Sequence, residues 1–371
     1  MKQIRTKILL LMLFMQVIIL AGCSSQQEVA QITEQPTTTV DEYGATIKEN
    51  VEIEGRPYTY IRYELDEEGN CCISALRTKS DELIIPTCVD GHPVTKVSCT
   101  LDFEDRWLDN PNQKLKKLIV SNGITHITTS AFYGLRAEQV IIPASVKEVE
   151  WAAFGETDIQ NVEIQGEKTN LGMGAFASSN LKNIKWPETY QGKIDSECFS
   201  KTKLESVQWP NYGNKKSKIE YDAFADCEVL KEVIFPENQE HIFIEDGVFD
   251  RCTSLKQLVF PATTKKVTYL RQTHADNYQK SVQELVFLGK ETELEGIWNQ
   301  GIDKDIISVS KIVAPKESKA IEKAKKAGKV TQIPSKYWDR LISYPPGFDT
   351  FGLKGYTYSK IKWGPMEYEE T

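Results

Sequence analysis

Histidine is scarce: the 371 residues hold four, His92, His126, His241 and His274. None stands in an H-E-x-x-H pair or at another spacing that gathers metal ligands. The chain lacks a G-x-S-x-G elbow, a phosphate-cradling Walker loop and a glycine-rich dinucleotide fingerprint. Residues 336–371 hold neither His nor Cys, so no nucleophile–base pair of those types arises there. Acidic pairs such as Asp303/Asp305 and Glu67/Glu68 are explained by turns and solvation. Catalysis is therefore not expected, nor is a metal or small-molecule cofactor. Positive charge is also short. The formal net charge is −8, with 45 Lys and Arg against 53 Asp and Glu, the wrong sign for non-specific nucleic-acid binding.

What the chain has instead is a repeat. Leu255-Lys256-Gln257-Leu258-Val259-Phe260-Pro261 reads L-x-x-L-x-F-P, and near copies flank it. With Pro261 as zero, position minus three is Leu83, Leu118, Val140, Val162, Ile184, Val207, Val233, Leu258, Leu285 and Ile312. Position minus one is Ile85, Val120, Ile142, Ile164, Trp186, Trp209, Phe235, Phe260, Phe287 and Ala314. A period of two predicts strands with one buried face. The minus-one aromatics are accordingly expected in the core. A second phrase, I-x-x-x-A-F, ends at Phe132, Phe154, Phe176, Phe199, Phe224 and Phe249, in steps of 22, 22, 23, 25 and 25. Two rigid phrases and one elastic loop describe a coil whose turns bury their apolar faces by stacking. Burial of a large apolar side chain is worth roughly 1.5–3 kcal/mol, so a few per turn drive the stacking.

The pattern resembles the BspA-type leucine-rich repeat family of bacterial surface proteins. Its carriers are the repeated Ala-Phe (Ala131-Phe132, Ala153-Phe154, Ala175-Phe176, Ala223-Phe224), the Cys-x-x-Leu of Cys227–Leu230 and Cys252–Leu255, and the Pro-ended strand. Residues 84–97 resemble the family's entry turn, and the likeness spans about residues 71–330. Gln165 and Ser121 replace the Pro, and Thr264–Lys280 lacks a clean Ala-Phe. The resemblance implies a solenoid of short parallel β-strands stacked into a curved array, and roles in adhesion or host interaction.

In order along the chain, residues 1–22 read as a lipoprotein signal peptide, with Lys2, Arg5 and Lys7 before an apolar run. Leu20-Ala21-Gly22-Cys23 resembles the bacterial lipobox, which implies lipid on Cys23 and a cell-membrane anchor facing outside the cytoplasm. Loss of the leader's three cations takes −8 to about −11. Residues 23–50 read as a disordered tether. Residues 51–114 should hold an N-terminal hairpin cap and the entry turn, with strands at Tyr58–Leu65 and Cys71–Leu76. The irregular stretch Leu101–Pro111 carries Trp107. The solenoid proper is expected over 115–315, a terminal helix over 316–335, and an aromatic-rich segment over 336–371. That last segment reads as a C-terminal cap, with a separate binding module or disorder as alternatives.

Seven cysteines remain without Cys23, an odd number that excludes full internal pairing. Cys227 and Cys252 share the phase of Leu135, Thr157, Ser179 and Thr202, three past the Phe, and read as small inward residues at a coil corner. A Cys227–Cys252 bridge is the alternative, since adjacent coils lie about 4.8 Å apart. Cys71, Cys72, Cys88 and Cys99 could pair near the N-terminal end, as export permits. The outward strand rows form the candidate binding surface. One row is Glu163, Lys185, Gln208, Ile234, Val259 and Val286; the other includes Gln257 and Glu284. They run from polar to apolar, and ordinary solvated sheet is the plain alternative. Lys215, Lys216 and Lys218 form a basic bump on the longest inserted loop, read as solvated. The function expected is a non-catalytic, lipid-anchored surface protein presenting this ladder to a protein or glycan. A structural lipoprotein of the cell's own envelope is the alternative, and an enzyme in the aromatic tail a distant third.

Overall fold

The computed structural model describes residues 35–98, 107, 112–213, 216–269, 282–295, 311–326 and 330–332. They form a right-stacked series of coils, each with a front strand, a corner and a short back strand. Front strands pair in parallel in two sheets. One holds Glu82–Ile84, Leu115–Ile119, Ala137–Ile142, Asn161–Ile164 and Asn183–Lys185. The other holds Ser206–Gln208, Glu232–Ile234, Gln257–Phe260, Glu284–Phe287, Lys311–Val313 and Val330–Gln332. The registers superpose like positions: Val140 on Leu118 and Val162, Leu258 on Leu285. The repeat read from the sequence is thus the repeat of the structure.

The second phrase builds the corner. Phe132, Phe154, Phe176, Phe199, Phe224 and Phe249 stack in one column at centroid separations of 5.1, 5.3, 5.9, 5.4 and 5.9 Å. Near-parallel rings at this spacing add about 0.5–1.5 kcal/mol per pair beyond burial. Trp107 closes the N-terminal end of the column, 4.6 Å from Phe132, with its indole N–H donating to Ala131 O at 2.7 Å. The Ala beside each Phe leaves room for the next backbone. The Phe154 N–H donates to Ala175 O, Phe176 to Cys198 O, and Phe199 to Ala223 O.

The turn into each corner needs left-handed backbone on both sides of the Phe. Two residues before it stand Ser130, Ala152, Gly174, Glu197, Asp222 and Gly247, all at φ between 49° and 68°. Two after it stand Gly134, Glu156, Ser178, Lys201, Asp226 and Arg251, at φ between 54° and 73°. A Cβ is disfavoured in this region. Most coils therefore carry conformational strain at two places, held by the burial of the Phe between them.

Several sequence expectations need correction. Trp186 and Ile184 were expected inside but are half-buried. The front ladder breaks there: Asn183–Lys185 ends one sheet and Ser206–Gln208 begins the next. Trp186 therefore lacks a paired strand on one side, and it rests on Tyr190 at 5.7 Å and Phe199 at 6.4 Å. The break falls where the Phe step grows from 22 to 23 and then 25 residues. The corner's hydrogen bonds carry the solenoid across it. Trp209, Phe235, Phe260 and Phe287 are fully buried as expected, and the last three stack at 5.3 and 5.1 Å.

The tether expected through residue 50 is also corrected, because strands begin at Thr37. β1 (Thr37–Val40), β2 (Thr46–Ile53), β3 (Arg56–Leu65) and β4 (Cys71–Arg77) form an antiparallel meander. β1 is polar and exposed at every position, so only backbone pairing and Asp41 fix it. Asp41 accepts Arg62 Nε–H at 2.7 Å and the N–H groups of Tyr43 and Ala45. β4 pairs in parallel with His92–Val97, which begins the back ladder. Coiling thus starts at Glu82 on the front, earlier than residue 115. At the other end the helix is short, α1 (Lys319–Lys326), and Val330–Gln332 returns to the front sheet. The signal peptide, Cys23, Cys99 and the aromatic segment from residue 336 lie outside the described residues.

Candidate functional site

The outward front rows are assembled in two pieces by the ladder break. In the first, Glu163 lies beside Lys185, with Nζ 3.9 Å from the carboxylate, and both meet solvent. In the second, Gln208 registers on Ile234 and Ile234 on Val259. Gln257 registers on Glu284, whose carboxylate takes an ion pair from Lys311 at 3.3 Å. Gln208, Ile234, Gln257, Val259 and Glu284 are half-buried. Lys185 and Gln208 are not paired across the break. Val286 must be corrected: its phase is outward, yet it is 2% exposed. It packs with Leu288, Val313 and Val259 in a cluster separate from the main core. The basic bump is spoken for as well. Lys218 pairs with Glu220 at 2.6 Å and Glu245 at 2.7 Å, and Lys216 Nζ sits 3.5 Å above the Phe243 ring.

A second surface went unread in the sequence. Three residues before each column Phe stand Thr129, Trp151, Met173, Ser196, Tyr221 and Asp246. Trp151, Met173 and Tyr221 are three of the most exposed large apolar side chains of the described residues, at 52, 44 and 42%. Their backbones are in register. Ser130 N–H donates to Trp151 O, Ala152 to Met173 O, Gly174 to Ser196 O and Glu197 to Tyr221 O. At about 4.8 Å per coil, Trp151 and Tyr221 lie roughly 14 Å apart along one edge. The left-handed residue that follows pushes this position outward at the corner. The signal was present as a column of the repeat, but it lies one residue outside the I-x-x-x-A-F consonance that draws the eye.

Carboxylates flank this ridge. Glu150 accepts the Thr129 N–H at 3.0 Å and its hydroxyl at 3.2 Å. Asp195 accepts Lys193 at 2.8 Å. Burial, reinforced by Asp250, Glu197 and Asp246, pushes the Asp222 carboxyl up to about 6, with Arg251 opposing. Asp226, by contrast, is held below the usual carboxylate range by its hydrogen bond from Arg251. The edge therefore offers aromatic and thioether faces beside negative charge.

The corner thiols are structural. Cys227 Sγ–H donates to Phe199 O and Cys252 Sγ–H to Phe224 O, each at 3.0 Å. Thr157 and Ser179 in the same column donate to the Phe carbonyl three residues back. Burial pushes the Cys227 thiol up to about 11, far from a reactive thiolate. Cys71, Cys72, Cys88, Cys198, Cys227 and Cys252 are all free, so the Cys227–Cys252 bridge is not formed. Among the described residues no group of three or more His, Cys, Asp or Glu is placed to hold a metal ion. No helix among them is long and apolar enough to cross a membrane.

The parallel front ladder, stacked corner and short back strands define a leucine-rich repeat solenoid. The family model for the BspA type leucine rich repeat region matches in six copies, over residues 110–215 and 192–277. The chain is thus a leucine-rich repeat protein of the BspA type. Solved structures similar to it include the pneumococcal vaccine antigen PcpA, 13% identical, covering 82% of this chain and 100% of that one, TM-score 0.38. A leucine rich cell surface protein from Faecalibacterium prausnitzii is 14% identical over 85% of this chain and 100% of that one, TM-score 0.28. A leucine-rich repeat protein from Bacteroides ovatus is 16% identical over 74% and 98%, TM-score 0.23. No curated protein sequence matches the chain.

Proposed function

We propose that this chain is a non-catalytic binding protein, held outside the cytoplasm by lipid on Cys23, whose solenoid edge receives a protein or glycan partner. The observation that carries this reading is the ridge of Trp151, Met173 and Tyr221, exposed in register on adjoining coils. Large aromatic side chains left in water are costly unless a partner covers them, and Trp and Tyr dominate contact energy where they are buried on binding. The solenoid supplies a rigid pitch, so a repeating ligand would meet equivalent positions on each coil. The polar first half of the front ladder, with Glu163 and Lys185, adds a second solvated face.

The test uses the full mature chain on a surface, probed with a panel of matrix proteins and cell-wall glycans. Saturable binding that Trp151→Ala weakens by about tenfold or more, with unchanged melting, supports the reading. Absence of saturable binding to every probe, or binding indifferent to both Trp151→Ala and Tyr221→Ala, overturns it. Incorporation of labelled palmitate that is lost in Cys23→Ala tests the anchor independently.

A further inference from the structure

Four residues share the outward minus-two position on consecutive front strands: Ile234, Val259, Val286 and Val313. Each registers on the next. Their strand neighbours Val233, Leu258, Leu285 and Ile312 fill the main core from the opposite face. The stripe is therefore an apolar row on the outside of a sheet. Yet Val286 and Val313 are only 2 and 5% exposed, and with Leu288 they form a cluster of their own. The same row in the first sheet, Glu163 and Lys185, meets solvent. An outward valine loses its solvent contact only when something lies over it.

We propose that the aromatic-rich chain end, residues 333–371, lies along this stripe as a strap. Three observations select that occupant. Gln332, the last described residue, registers beside Val313, so the chain leaves the sheet at the stripe's own edge. The segment that follows carries nine aromatic residues, from Tyr337 to Tyr368, among Pro and Gly. Such a segment needs an apolar surface. The last coil's interior offers none, being filled by Ile312, Ala314, Ala320 and Ile321. The strap reassigns the apolar half of the front ladder: it is an internal docking face, and an external partner meets only the polar half and the corner ridge.

The experiment places p-benzoylphenylalanine at Val259 in the full chain, which sits at the rim of the cluster and outside the main core. Irradiation followed by peptide mass mapping reads the partner. A crosslink at monomer mass into residues 333–371 is the expected result. A crosslink at dimer mass, a crosslink into residues 270–281 or 296–310, or none overturns the proposal. Hydrogen exchange on the unmodified chain and on Val259→Glu gives a second reading. Amides of 333–371 should be protected in the first and exchange about tenfold or more faster in the second, while the coils at 115–208 are unchanged. Unprotected amides in the unmodified chain, or equal protection in both, contradict it.

Discussion

Asp222→Asn should stabilise the protein at neutral pH, which is the reverse of the usual effect of changing a half-buried acid. Burial and the neighbouring Asp250, Glu197 and Asp246 raise this carboxyl from 3.8 to about 6. The sign follows from proton linkage. With a folded value above the unfolded one, the native state binds more protons between about pH 4 and 6. Its contribution to stability is full below the unfolded value and is lost as pH rises through about 6. At pH 7.5 the ionised group is a net cost. Two units would correspond to about 3 kcal/mol. The side chain keeps a solvent face, so screening reduces the expected gain from Asn to about 1 kcal/mol. Asn tolerates the left-handed φ of 53° at this position, so the backbone adds no opposing cost. Urea titrations of both proteins at pH 4, 5 and 7.5, followed by hydrogen exchange across residues 219–250, measure the difference. The gain should be present at pH 7.5 and fade toward pH 4. Destabilisation at pH 7.5, or an effect equal at all three pH values, would refute the electrostatic account.

Other expectations follow from the packing. Phe176→Ala removes a fully buried ring stacked on both sides and should cost about 3–5 kcal/mol, with exchange loosened first in coils 150–204; a loss below about 1 kcal/mol would show that the column is not under tight packing. Ala152→Gly relieves a Cβ at φ 49°, where Gly174 stands in the next coil, for a net gain of roughly 0.5–1 kcal/mol in thermal melts. Gly192→Ala should destabilise by about 1–3 kcal/mol, because its Cβ would meet the Thr169 carbonyl, which already accepts Tyr190 OH at 2.6 Å. Cys227 and Cys252 should resist thiol labelling at pH 8 until denaturant is added; labelling of the native chain at the rate of a free thiol would contradict their burial.

The repeat was legible because it is local. Minus three and minus one lie on one face of the same short strand, so their apolar columns state which face is buried without reference to any distant residue. The same reasoning misplaced Trp186, whose burial depends on a neighbouring strand that the break withholds, and Val286, whose outward phase says nothing of what lies over it. β1 escaped notice for another reason: a strand exposed at all four positions carries no hydrophobic period. The Trp151–Met173–Tyr221 ridge was visible in principle as a column, but its exposure comes from the left-handed residue after it, and sequence pattern alone does not report φ at Ala or Asp.

That dependence on φ also explains why the ridge keeps its place while its chemistry varies. At the corner, geometry is fixed by two left-handed positions and a buried Phe, so the residue between Glu150 and Ala152, or between Glu220 and Asp222, is thrust outward whatever its type. Folding constrains the Phe, the Ala and the backbone. It leaves the outward residue free to be Thr129, Trp151, Met173, Ser196, Tyr221 or Asp246. A position that the fold holds rigidly but does not require to be apolar is one where large aromatic side chains have no structural use. Trp and Tyr at such sites are therefore better evidence of a contact surface than the apolar stripe at Val259 and Val286, where burial within the chain already accounts for the residue type.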